Sequence, residues 1–113
     1  MQETLKREPD AADGNTPHVE ATIVYLRPED GGRKTAPGSG YHSQFHYIDD
    51  GSDWDAIQTF GSPTAPLGEP VEASLRFTNP AAHRGRVHVG TAFEIREGPR
   101  VVGRGLITHV GPF

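Results

Sequence analysis

Phe93-Glu94-Ile95-Arg96-Glu97-Gly98-Pro99-Arg100-Val101-Val102-Gly103-Arg104-Gly105 reads as two strands joined by a tight turn. Phe93 and Ile95 alternate with Glu94 and Arg96 before Gly98-Pro99, and Val102 alternates with Arg100 and Arg104 after it. A period of two is the pattern of an antiparallel strand with one face in a core and the other in water. Glycine at the first turn position can take a positive φ, and proline at the second fixes φ near the value a type II′ turn needs. A two-residue hairpin loop follows.

The same signal recurs upstream. From His18 to Leu26, Val19, Ala21, Ile23 and Tyr25 alternate with Glu20 and Thr22 and end at Arg27-Pro28, which predicts a first strand. Tyr41 to Ile48, Trp54 to Phe60 and Val71 to Phe77 are the next three. Between them lie turn-forming segments: Pro28 to Gly40, whose Gly31-Gly32-Arg33-Lys34-Thr35 core exposes two cations, the acidic turn Asp49 to Asp53, and the Pro/Gly-rich Gly61 to Pro70. Asn79-Pro80 ends the fourth strand, and Ala81 to Gly90 is expected to be an exposed excursion before the terminal hairpin. No helical period of useful length occurs. Residues 1–17 are polar and short of bulky apolar groups, so a disordered tail is expected there and a β-domain over 18–113. Six short strands predict an all-β sandwich or small barrel, and closure into a barrel is the usual way to hide strand edges.

A chain of 113 residues has room for one domain. The absence of cysteine removes disulfides, thiolate nucleophiles and zinc ribbons, and fits a reducing cytoplasm. No apolar h-region opens the sequence and no run of about 18 apolar residues occurs, so neither a signal peptide nor a membrane span is expected. The net charge of −4 argues against a generic nucleic-acid binder, yet the charge is uneven. Residues 1–75 hold 5 basic and 13 acidic side chains, whereas residues 76–113 hold 6 and 2. Catalytic patterns are missing: there is no phosphate-cradling Gly-x4-Gly-Lys-Ser/Thr and no nucleophile elbow around any serine. His42 and His46 share one strand face and His83 and His88 fall in or near a loop, but two ligands are not a metal site. Neither a catalytic residue nor a metal or cofactor is expected.

Four motifs occur together in an order that resembles the third, C-terminal domain of elongation factor Tu. The segment Phe93 to Gly105 resembles the end of that factor. Gly31-Gly32-Arg33-Lys34-Thr35-Ala36-Pro37 resembles its Gly-Gly-Arg-His-Thr-Pro loop, and Gly40-Tyr41 with Gln44-Phe45 resembles its Gly-Tyr-Arg-Pro-Gln-Phe strand entry. Asn79-Pro80 stands where the family has a basic residue before proline, and Val19-Glu20-Ala21 also matches. The resemblance covers roughly residues 18–110 and implies a closed six-stranded antiparallel Greek-key barrel. In the family this barrel is non-catalytic: it contacts the T stem of aminoacyl-tRNA, packs against the GTPase domain and meets the nucleotide-exchange factor. A shared fold does not by itself transfer those roles.

Carried over, the tRNA-facing positions fall on Arg33, Lys34, Gln44, Asn79, Glu97 and Gly98. Arg33 and Lys34 are suited to phosphate oxygens, Gln44 and Asn79 to sugar or phosphate, and Gly98 to close backbone approach. Glu97 repels phosphate unless it reaches a hydroxyl. The protein-facing seam falls on Gln44 and on Glu94, which replaces a small residue of the family pattern and is costly to bury. Asn79 lacks the usual positive charge, Pro99 replaces a smaller residue, and Asp49 to Asp55 has no counterpart. Two kinds of partner are therefore expected for a stand-alone, translation-related binding module: tRNA or another structured RNA, or a protein such as an exchange factor, a GTPase domain or a toxin.

Overall fold

The computed structural model describes residues 16–113. The tail expected over 1–17 lies outside the described residues except for Thr16 and Pro17, which carry no regular structure. Six strands follow: β1 (Val19–Tyr25), β2 (Tyr41–Tyr47), β3 (Asp53–Phe60), β4 (Pro70–Phe77), β5 (Ala92–Glu97) and β6 (Arg100–Val110). They close in the order β1-β4-β3-β2-β5-β6, with β6 returning to β1 and every pair antiparallel. This is the all-β, closed six-stranded barrel that the strand count and the alternation predict. Strands β2, β3 and β4 form a meander, and β1 lies beside β4 instead of β2, which makes the arrangement a Greek key. Among the described residues, no helix is long and apolar enough to cross a membrane.

Alternation fills the interior. Val19, Ala21, Ile23 and Tyr25 of β1 point inward, as do Phe45 and Tyr47 of β2, Leu75 and Phe77 of β4, and Phe93 and Ile95 of β5. Phe45 is the hub: it stacks on Phe93 at 4.4 Å between ring centroids and meets Tyr47 and Phe77 edge-on at 4.9 and 5.2 Å. Fully burying one such ring contributes roughly 3 kcal/mol. The Phe93 ring also lies on Gly105 of β6, where any side chain would collide with it. One polar chain crosses the interior: the Tyr25 hydroxyl donates to Gln58 Oε1 at 2.7 Å, and Gln58 Nε2 donates to Ser43 Oγ at 2.7 Å. Burial raises the Tyr25 phenol far above its ordinary pKa, so it serves as a neutral donor.

Two long connections cover the barrel ends. At the hairpin end, residues 26–40 cross from β1 to β2 and include a single 3-10 turn, Pro28–Asp30. They hydrogen-bond to the β3–β4 loop through Ser39 and Pro63 and through Ala65 and Pro37. At the far end, residues 78–91 cross from β4 to β5 and include the 3-10 turn Pro80–Ala82. The excursion expected over Ala81 to Gly90 is exposed over most of its length, but it is not exposed throughout, because His83 is 0 % exposed and Val87 2 %. His83 stacks on Phe77 at 3.8 Å and meets Trp54 edge-on at 5.1 Å, so this loop plugs the barrel mouth with an aromatic ring.

Candidate functional site

The β5–β6 turn organises the hairpin end. Glu97 pairs with Arg100 across Gly98-Pro99, and Gly98 has φ +61°. Proline cannot follow with a positive φ, so the turn is the type II′ form read from the sequence. Arg33 and the Tyr41 hydroxyl both donate to the same Glu97 oxygen, and the Arg33 guanidinium lies 4.8 Å from the Tyr41 ring centroid. Arg100 adds a bond from Nη1 to the Gly32 carbonyl at 3.2 Å. Gly32 itself packs so close to the Leu26 carbonyl that a Cβ would collide there. The β1–β2 loop is thereby fastened to the hairpin.

Electrostatics follow from this geometry. Burial opposes ionisation of Glu97, but the hydrogen bonds from Tyr41 and Arg33 outweigh it and hold the carboxyl below its usual pKa. Burial and the bond to Glu97 push the Tyr41 phenol up to about 12. Of the two exposed cations expected in this loop, Arg33 is therefore corrected: it is paired, with its side chain only 26 % exposed. Lys34 is exposed, with no ionic partner among the described residues.

The other candidate residues lie on the outer wall of β3, β2 and β5. Gln44 stands opposite Asp55 on one side and Arg96 on the other. With Asn79 it lines a shallow groove shared with Asp53, Trp54, Asp55 and Thr78. His46 Nδ1 and Asp53 Oδ1 are 2.8 Å apart. Glu94 stands opposite His46 on β2 and Arg104 on β6. Arg96 donates from Nε and Nη2 to Glu94 Oε1 at 2.9 and 2.6 Å. The desolvation expected at Glu94 is thus met by a two-pronged guanidinium pair, with only 17 % of its side chain exposed. Gln44 Oε1 is buried and lacks a hydrogen-bond partner among the described residues.

The structure thus brings Arg33, Glu97 and Gly98 together at the hairpin end. It places Gln44 and Asn79 together in an acidic groove, and Gln44 beside the Glu94–Arg96 pair on the wall. Lys34 joins none of these. Three contributors are not among the site residues read from the sequence: Tyr41, and Arg96 and Arg100, which the sequence shows only as part of the basic segment 76–113. Arg96 carried a signal, being two residues from Glu94 and hence on the same strand face. Tyr41 and Arg100 carried none, because their partners are set by how segments 56 and 68 residues apart are brought together.

Among the described residues, no group of three or more His, Asp or Glu side chains is arranged to hold a metal ion. His46 is engaged by Asp53, and the His83 Nδ1 and Tyr47 hydroxyl are 2.7 Å apart in the interior. A scan against models of known protein families finds no match.

Proposed function

We propose that this chain is a non-enzymatic binding module of the translation apparatus, resembling the third domain of elongation factor Tu, and that its β2–β5 wall docks a protein. The supporting observation is the state of the cations. Arg33, the strongest phosphate donor among the RNA-facing candidates, is consumed by Glu97 and Tyr41, while Asp53 and Asp55 flank Gln44 and Asn79. A phosphate backbone approaching that groove meets carboxylates, whereas affinity for RNA rests chiefly on neutralising phosphates. The wall instead offers a fixed, half-buried Glu94–Arg96 pair beside the unsatisfied amide oxygen of Gln44. Such a pair fits a preformed protein surface better than a flexible polyanion.

The test is calorimetric titration of the full chain with three purified components from the same organism: elongation-factor GTPase domain, exchange factor and tRNA. Saturable binding to one of the two proteins, weakened at least about tenfold by Glu94→Arg, is the expected result. Tight tRNA binding at low salt that is lost in Arg33→Ala, with neither protein bound, overturns the reading in favour of RNA.

A further inference from the structure

We infer that residues 79–90 are a releasable plug: when His83 takes up a second ring proton, this loop leaves the barrel mouth while the six strands stay closed. The bonding of the loop permits this. Ala82 donates to Asn79, His83 and Arg84 to Pro80, and Arg86 and Val87 to His83, all from backbone to backbone within the segment. Its backbone bonds to the barrel sit at the two ends, Thr78 to Asp55 at 3.2 Å and Gly90 to Ile107 at 2.8 Å. Between those anchors His83 and Val87 are the buried residues, whereas Arg84, Gly85, His88 and Val89 are exposed. Two outer tethers add to them, Arg86 on Asp49 and Asp50 and Arg84 Nε on the Phe113 carbonyl at 2.6 Å. Exposed contacts of that kind hold weakly. Swinging the loop out therefore breaks no strand ladder.

His83 is the residue that cannot stay once charged. Its ring is stacked on Phe77 of β4 at 3.8 Å, with Trp54 of β3 and Phe45 of β2 edge-on at 5.1 and 6.2 Å. Nδ1 is engaged with the Tyr47 hydroxyl at 2.7 Å, and Nε2 is buried with no partner among the described residues. Whichever way the Tyr47 bond runs, histidinium carries an N–H at Nε2, so the second proton sets an unpaired charged donor among aromatic rings. The Phe77 face attracts a cation, but in a near-parallel stack it cannot accept an N–H that lies in the histidine ring plane.

The surrounding charges add to the cost. Arg86 of the same loop lies 3.6 Å from the Tyr47 ring centroid, and His18, from the segment before β1, is a second imidazole with Arg76 and Arg84 near it. The carboxylates of the turn after β2, Asp49 and Asp50, are taken by Arg86, and Asp53 of β3 is engaged with His46. Among the described residues, none of these carboxylates bonds to His83. Once the loop is out, water satisfies Nε2 and separates the cations. Departure also uncovers Phe77 and the edge of Trp54 at the mouth. The inference does not rest on the proposed function and stands or falls apart from it.

Hydrogen–deuterium exchange of the full chain, read as protection relative to the unstructured rate at each pH, is the deciding measurement. A lone 3-10 turn does not hold itself together in water, so the amides of residues 82–87 report departure of the loop. Between pH 7 and pH 4 they should lose about a hundredfold in protection, close to tenfold per pH unit from the ordinary histidine value of 6.5 down to about 4, while β1 and β6 amides stay protected. His83→Phe keeps a ring that takes no proton and should keep its protection. His18→Asn keeps an acceptor for the Phe77 N–H, now 3.0 Å from His18 Nδ1, and should still open. Should His83→Phe fail to fold, the wild-type His83 ring shift in NMR must titrate in step with the loss of loop protection. Loop amides that keep their protection to pH 4, loss that persists in His83→Phe or runs out of step with the ring, or strand amides lost together with the loop, overturns the inference.

Discussion

His83 sits in a loop rich in arginine and glycine, yet its ring is wholly inside the barrel mouth, stacked on Phe77 and bridged to the Tyr47 hydroxyl. Its Nε2 is buried with no hydrogen-bond partner among the described residues, so a second ring proton there has nowhere to donate. Burial, then the nearby charges of Arg86 and His18, bring its pKa down to about 4. Arg86 is held in place by its position 3.6 Å from the Tyr47 ring centroid. A depressed histidine pKa means that the unfolded chain takes up a proton which the folded chain refuses. Stability is therefore complete above the unfolded value of 6.5 and falls as pH drops toward about 4. The full window amounts to about 3 kcal/mol. Urea unfolding at stepped pH should show this slope in wild type and a shallower one in His83→Phe, with the residue from His18, which burial and Arg76 shift in the same direction. An unchanged slope in His83→Phe would assign the acid sensitivity elsewhere.

The β5–β6 hairpin shows what is local in this fold and what is not. Its turn follows from Gly98-Pro99 alone, and Gly98→Ala should cost about 1 kcal/mol by forcing an L side chain to φ +61°. Gly105→Ala should cost about 1–3 kcal/mol for a different reason, because the new methyl meets the Phe93 ring at 2.5 Å. Thermal unfolding separates the two. The second penalty should shrink when Phe93→Leu removes the ring, and the first should not. All six strands were legible in the alternation, and the loops in their prolines and glycines, because period and backbone freedom are properties of neighbouring residues. The Glu97 pairing with Arg33 was not legible: it joins residues 64 apart, and local pattern does not encode which loop folds over which turn. The burial of His83 was hidden for a related reason, since a lone histidine among cations reads as solvent-facing until the mouth it fills is known. Glu94 lay between these cases, its outward face legible and the tightness of its Arg96 pair not.

At the scale of the whole molecule, closure joins the first strand to the last, with Val19 opposite Val110. Such pairings bring distant residues together before much apolar surface is buried, so refolding should take milliseconds to seconds. Stopped-flow Trp54 fluorescence after dilution from urea should detect it, and a submillisecond phase carrying the whole amplitude would contradict the dominance of the β1–β6 seam. Closure also has a bearing on how recognition can change over evolutionary time. Among the described strands each is bonded on both sides, so a partner cannot be recruited by adding its own strand to an open edge. Every contact must be made by outward side chains, which the ladder holds in place but does not need for its own hydrogen bonds. Partner choice in such a scaffold can drift one residue at a time, because an outward substitution at a position such as Glu94 leaves the ladder's own hydrogen bonds intact.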